Sequence, residues 1–225
     1  EEEGPYIPYS YGLSEEQYRS YGNEVVAGVL HLTSRHEADD PEFLAEHRVT
    51  HVLNVAEECE PSPETLGRCT VLHIPLRDSP FTDIRAHFAD AFQLVESART
   101  RGGRALFHCR EGRNRSAAFA IAYRMRAEGL TLGAAFAGVK AVRELVDPNV
   151  GFRKQLRDFE LSMLPDPSPS MPLSHEECCD LLALDILRAQ DLGLYTDLEV
   201  VVHDGQSIQV ARPAPKAAAA TARRR

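Results

Sequence analysis

Nine consecutive residues, His108-Cys109-Arg110-Glu111-Gly112-Arg113-Asn114-Arg115-Ser116, constrain this chain more than any other stretch. A short apolar run, Ala105-Leu106-Phe107, precedes them, and an alanine-rich stretch of helical composition begins at Ser116. The order reads as strand, tight loop and helix N-terminus, with a cysteine and an arginine at the two ends of a Cys-x5-Arg loop. Successive backbone N–H groups of such a loop make a concave anion site. The helix that follows adds its unsatisfied N–H groups and the positive end of its dipole. Gly112 permits a backbone conformation and a close approach that a side chain would obstruct. Arg115 closes the cup with a planar, two-pronged donor that matches two phosphate oxygens. Cys109 lies in the focus of this field, and helix N-termini and nearby cations favour a cysteine thiolate over the thiol. A thiolate facing a bound phosphate is a nucleophile in attack position. The plainer reading, a structural cysteine beside a solvated arginine, leaves the His, Gly and Ser at these offsets unexplained.

The flanking sequence supplies a scaffold of matching type. Val25-Val26-Ala27-Gly28-Val29-Leu30 reads as one strand, and Pro41 to Glu46 as a short helix with proline in its first turn. Val49 to Val55 is β-branched and apolar and reads as a buried strand, with Val71 to Leu76 as another. Ile84, Phe88, Phe92 and Val95 recur at helical spacing, with Thr82 or Asp83 as cap and Gly102-Gly103 as the stop. Beyond the loop, helices are expected over Ser116 to Glu128, ended by Gly129, and over Leu132 to Leu145. A last one runs from Val150 to about Leu164, capped through Asp147-Pro148-Asn149. The alternation predicts an α/β fold: a central, mostly parallel twisted sheet flanked by helices. Ligands of such sheets sit at the C-terminal ends of the strands, where Cys109 is expected.

The ends of the chain differ in character. Residues 1–22 are Glu-rich, then Tyr-, Pro- and Gly-rich, and read as an irregular lead-in to a domain over 23–164. Pro165 to Pro172 is a stiff Pro/Ser linker. Over 173–212, Ser174 and Glu177 form a capping-box pattern before an apolar face of Leu181, Leu184, Ile186 and Leu187. Leu198 to Val202 and Ser207 to Val210 then flank Asp204-Gly205, a hairpin signal. One helix and one hairpin bury little alone, so this appendage is expected to pack on the larger domain or on a partner. Residues 213–225 form an Ala/Arg tail expected to be disordered.

A phosphate ester also needs its leaving oxygen protonated by a carboxylic acid facing the sulfur. Asp78, in Leu76-Arg77-Asp78-Ser79-Pro80, follows a strand end and precedes a helix. The plainer role for it is to cap that helix, and Asp83 and Asp90 are fallback acids that fall on or within the helix. Ser116 is placed to hydrogen-bond the sulfur, or to cap the helix, or both. The nine histidines are scattered without ligand spacing, so neither a metal nor another cofactor is expected.

His108-Cys109-x-x-Gly112-x-x-Arg115-Ser116 resembles the signature of the cysteine-dependent protein tyrosine phosphatases. From Asn23 to Leu164 the chain resembles their dual-specificity branch, as an atypical, compact member. The resemblance implies catalysis by Cys109, Arg115, Asp78 (at the place of the branch's general acid) and Ser116. It implies substrate contacts from His108, Arg110, Glu111, Gly112, Arg113 and Asn114, with His108 orienting the loop and tuning the cysteine. It also marks Asn149 to Phe152 as loop bracing. The chain has no tryptophan, so the Trp-Pro-Asp acid loop of tyrosine-only phosphatases is absent. A shallow pocket is therefore expected, open to phosphotyrosine and to phosphoserine/phosphothreonine in a phosphorylated protein.

Arg113 and Asn114 depart from the branch. Lipid phosphatases of the superfamily carry basic residues at such places, and RNA 5′-triphosphatases carry asparagine where Asn114 stands. A phosphoinositide or an RNA 5′ phosphate is thus the alternative substrate, and a non-catalytic phosphate-binding module is a third reading. The formal charge of −9 speaks against general nucleic-acid or membrane-surface binding. No apolar run reaches the length of a membrane span and no secretory signal opens the sequence. Five cysteines without regular spacing fit a reducing compartment. A cytoplasmic location is expected, with a nuclear one open through Arg223-Arg224-Arg225. Cys59 and Cys69 read as inert buried thiols, with a protective disulfide to Cys109 as the other option.

Overall fold

The computed structural model describes residues 24–163, 170, 171 and 174, and the backbone of 195–203 and 206–213. The chain divides into two compact units, Glu1–Pro172 and Leu173–Arg225.

The first unit is built on a five-stranded sheet: β1 (Glu24–Val26), β2 (Leu30–Thr33), β3 (Val49–Asn54), β4 (Thr70–His73) and β5 (Arg104–His108). Their order is β1-β2-β5-β3-β4. Only the β1–β2 pair is antiparallel; β2 with β5, β3 with β5 and β3 with β4 all run parallel. A mostly parallel sheet with helices packed on it is the α/β architecture expected from the alternating pattern.

The stretch from Val25 to Leu30 is not one strand but a tight turn between two. Gly28 adopts φ +70 and donates its N–H to Glu24 Oε1 at 2.8 Å, while Val29 N–H closes the turn on the Val26 carbonyl at 3.0 Å. The β-branched residues on both sides concealed a turn that only the glycine signals. β4 is also shorter than Val71 to Leu76, since Pro75 has no N–H to donate to a ladder.

Two short helices follow the first parallel strand: α1 (Arg35–Ala38), with Ser34 and Glu37 in a reciprocal capping box, and α2 (Pro41–Glu46), capped by Asp40. Helix α3 (Pro63–Arg68) was not anticipated, although Ser62 accepts from Thr65 N–H and Pro63 stands at the first helical position. The helix expected from Asp83 onward begins as a 3-10 turn, Arg85–His87, and continues as α4 (Phe88–Thr100). Asp83 Oδ1 accepts from Ala86 N–H at 3.2 Å, but the N–H groups of Ile84 and Arg85 are taken by Gln155 Oε1.

Helix α5 (Arg115–Glu128) ends at Gly129, which is left-handed at φ +67. Residues Ala117 to Ala122 of α5 have no exposed surface at all, so this helix runs through the middle of the unit. Its alanines let the sheet and the neighbouring helices come close, and Phe88 packs edge-on against Phe119 and Phe159. Helix α6 (Leu132–Val142) stops before Leu145, because Arg143 leaves the helical path at φ −130. Helix α7 (Val150–Met163) is capped by Asn149, whose Oδ1 accepts from Phe152 N–H at 3.0 Å.

In the second unit, β6 (Tyr195–His203) and β7 (Gln206–Pro213) pair antiparallel, with His203 opposite Gln206. The irregular lead-in, most of the linker, the helix expected after Ser174, Asp204-Gly205, Cys178-Cys179 and the tail lie outside the described residues. No helix among the described residues is long and apolar enough to cross a membrane.

Candidate active site

Parallel strands end at one edge, and the loops leaving β3, β4 and β5 converge there. Strand β5 is central and delivers Cys109; the loop after β3 delivers Glu58; the loop after β4 delivers Asp78. These residues, with Arg110, Arg113 and Arg115, line one cleft of about 410 Å³.

The loop from Cys109 to Asn114 is held from outside by its carbonyls. That of Cys109 lies 3.2 Å from His108 Nδ1, and that of Arg110 accepts from Arg35 N–H at 3.2 Å. The guanidinium of Arg143 donates to Glu111 O at 2.9 Å and to Gly112 O at 3.0 Å. Arg113 O accepts from Asp147 N–H and Asn114 O from Ala118 N–H, both at 3.0 Å. In a planar trans peptide the N–H points opposite to the C=O. Carbonyls drawn outward one after another turn the following N–H groups toward the cleft, which is the anion-binding arrangement expected of this loop. Gly112 is required for it: its φ is +65, and a Cβ there would come within 2.2 Å of the Thr33 carbonyl oxygen.

Cys109 is buried at the floor, 2% exposed. The Ser116 hydroxyl donates to its Sγ at 3.2 Å. Ser116 is not the N-cap of α5: Asn114 holds that position, without a side-chain capping bond, and Ser116 lies within the first turn. Its hydroxyl is thereby committed to sulfur.

Arg115 is also 2% exposed and is held mainly by a residue the sequence did not single out. Its two terminal nitrogens donate to the two carboxylate oxygens of Glu58, at 2.6 and 2.5 Å, and Nη1 also reaches the Leu76 carbonyl at 3.0 Å. Burial alone would push the Glu58 carboxyl up, but the bonds from Arg115 outweigh it and hold Glu58 below its ordinary value. Burial works equally against the Arg115 cation and is outweighed by Glu58, so the guanidinium is held charged more firmly than usual. The bidentate pair uses one edge of the guanidinium. Nε, on the other edge, is buried without a hydrogen-bond partner and lies 3.4 Å from Asp78 Oδ2.

Asp78 stands over the cleft with its side chain 46% exposed. Asn114 Nδ2 donates to its Oδ1, and Asn114 Oδ1 accepts from Asn149 N–H at 2.9 Å. The loop behind Asp78 is clamped by α7: Gln155 Nε2 donates to Thr82 O at 2.8 Å, and Gly151 meets Pro80 so closely that a Cβ would lie 2.0 Å from the Pro80 oxygen.

Not every residue of the expected substrate-binding set faces the cleft. Arg110, Glu111, Arg113 and Asn114 line it. Gly112 contributes backbone, and His108 is buried against its own loop. Burial pushes the His108 imidazole down to about 4, so it is neutral near pH 7. Arg113 Nη2 donates to Asp147 Oδ2 at 2.7 Å. Asp83 and Asp90, the fallback acids, are not among the lining residues. Cys59, Cys69 and Cys109 are free thiols; burial pushes Cys59 up to about 11 and Cys69 in the same direction. A thiol held protonated is a poor partner for disulfide exchange. No group of three or more His, Cys, Asp or Glu suited to a metal ion occurs among the described residues.

Sequence reasoning missed Glu58 and Arg143. Glu58 lies 57 positions from its partner and had no motif to mark it. Arg143 shares its helical run with Lys140 and Glu144, and nothing local assigned it to the loop.

Residues 30–162 match the family described as dual specificity phosphatase, catalytic domain. The chain is 37% identical over 160 residues to human Dual specificity protein phosphatase 5, an alignment covering 69% of this chain and 40% of that protein. It therefore spans well under half of that relative's length. It is 40% identical over 135 residues to human Dual specificity phosphatase 28, covering 60% of this chain and 76% of the relative. The crystal structure of human DUSP28 superposes with a TM-score of 0.59 at 37% identity, covering 63% of this chain and 94% of that one.

Proposed function

The chain belongs to the dual-specificity phosphatases, and from that premise we propose that it hydrolyses phosphotyrosine and phosphoserine/phosphothreonine esters of proteins through a phospho-cysteine intermediate. The observation that carries this reading is the convergence of Cys109 Sγ, the Arg115 guanidinium and the Asp78 carboxyl on one cleft, over a loop whose carbonyls are each engaged by a neighbouring group.

In the first step Cys109 sulfur attacks phosphorus and the bond from phosphorus to the leaving oxygen breaks. Asp78 gives its proton to that oxygen, a contribution on the order of 10²–10⁴ in rate. Arg115 Nε, buried without a hydrogen-bond partner, and the loop N–H groups take the equatorial oxygens as their charge grows. In the second step water attacks the phospho-cysteine, Asp78 accepts its proton and the S–P bond breaks. The Ser116 hydroxyl, already directed at sulfur, stabilises the departing thiolate.

The pairing of Arg113 with Asp147 favours protein esters over a polyanionic substrate, because this cation already has a carboxylate beside it. Acidic residues Glu58, Glu111 and Asp147 along the same cleft work in the same direction. The test is turnover and binding by wild type and Cys109→Ser on phosphopeptides, inositol phospholipids and 5′-triphosphorylated RNA. Wild type should turn over the phosphopeptides best, and the variant should lose turnover while still binding them. Comparable turnover by the variant, or preference for lipid or RNA, would overturn the proposal.

A further inference from the structure

Asn114 stands between two arginines of the loop and lines the cleft, yet its carboxamide makes no capping bond to α5. It bridges two other loops instead. Nδ2 donates to Asp78 Oδ1, and Oδ1 accepts from Asn149 N–H at 2.9 Å. The orientation of the amide follows from its partners: turned over, it would set oxygen against a carboxylate and NH₂ against an N–H. Asn149 is itself fixed, since its side chain caps α7.

We propose that Asn114 is a positioning residue that holds the Asp78 carboxyl over the sulfur and selects which of its oxygens delivers the proton; this rests on the phosphatase reading above. Asp78 is largely exposed and sits on a loop, so without a tether its carboxyl samples several rotamers. With Oδ1 engaged by Asn114, Oδ2 is the oxygen that carries the proton once a bound ester takes its place beside Arg115 Nε. Oδ2 also lies beside Arg115 Nε at 3.4 Å, on the edge of the guanidinium that Glu58 leaves unused. Proton donor and oxyanion clamp are thus adjacent before any ester binds. Serine at 114 is too short to reach Asp78 and Asn149 together. Aspartate keeps the acceptor for Asn149 but removes the donor and sets a like charge against Asp78.

The test compares kcat/KM on two aryl phosphates, one with a strongly acidic fluorinated phenol as leaving group and one with plain phenol. The first needs little protonation as it departs, and the second depends on it. Asn114→Asp should lower kcat/KM on phenyl phosphate at least about tenfold more than on the fluorinated ester, a fraction of the full general-acid effect. In an Asp78→Ala background the same substitution should add less than about twofold, because groups acting as a unit are non-additive. Asn114→Gln, which retains both donor and acceptor, should recover part of the leaving-group selectivity lost in Asn114→Asp. Equal losses on the two esters, or a full additional loss in the Asp78→Ala background, would show a merely structural role and overturn the inference alone. Wild type inactive on both esters would overturn the phosphatase reading with it.

Discussion

Arg143, with no exposed surface, donates from Nε to the carbonyl of Gly112 at 3.0 Å and from Nη2 to that of Glu111 at 2.9 Å. It lies on the far side of the loop from the cleft and sets which way two of its peptides face. Arg143→Met keeps much of the volume and removes both donors. Leaving buried carbonyls unpaired costs about 1–3 kcal/mol each. Denaturant unfolding should show a loss within that range or above it, and vanadate should bind more weakly. Unchanged vanadate affinity in the folded variant would mean the loop holds its shape unaided.

Gly112 answers to the same constraint from within. Alanine there meets a left-handed φ of +65 and the Thr33 carbonyl at 2.2 Å. Backbone is the obstacle, so relief requires the loop to move. Gly112→Ala should cut kcat/KM on an aryl phosphate at least about a hundredfold, since misplacement by about 1 Å costs on that order. Activity within about threefold of wild type would contradict the geometry.

Glu58 and Arg115 yield a prediction with a definite sign in pH. The folded carboxyl lies below its ordinary value, so its contribution to stability is complete above the unfolded value near 4.5. It is lost as pH falls through the lower folded value. Wild type should therefore melt above Glu58→Gln at neutral pH, with the gap closing in acid. Vanadate should bind the variant roughly tenfold more weakly, about 1.4 kcal/mol, because the guanidinium loses the partner that fixes its plane. A melting difference independent of pH would point to packing rather than charge.

Two buried histidines set a second acid limit. Burial pushes His31 and His108 each down to about 4, and His51 is lowered in the same direction, mainly by burial. Between the unfolded value of 6.5 and the folded value near 4, the unfolded chain binds protons that the native state excludes. Stability therefore falls as pH drops through that window, by about 1.4 kcal/mol per pH unit for each such histidine. Calorimetric melts from pH 7 to pH 4.5 should show this slope, and His31→Leu should remove one proton's share of it. A stability curve flat across that window would refute the assignment.

The parts of the site that are legible in the sequence are those that local chain geometry enforces. Cys109, Gly112, Arg115 and Ser116 lie within eight residues on a strand, a turn and a helix start, so their offsets are already distances. Asp78 could be placed because it follows a strand of a parallel sheet and so ends at the same edge. Glu58 and Arg143 are held by contacts 57 and 31 positions away, and periodicity carries no information about such contacts. The turn at Gly28 was hidden among β-branched neighbours. Helix α3 is short, and Ser62-Pro63 is the local signal that marks its start. The resemblance sets Asn114 among the substrate contacts, and it does line the cleft; its bonds to Asp78 and Asn149 reach two other loops and carry no local signal.

The meeting of Gly151 with Pro80 bears on all of this from behind. The hydrogen atom that stands in for a side chain at residue 151 lets α7 come right up to the strap bearing Asp78. The position of Asp78 at the cleft is thus gauged by the packing of α7 behind its loop. One added carbon at that contact would push the strap outward and widen the mouth, while Cys109, Arg115 and Asp78 themselves stay the same.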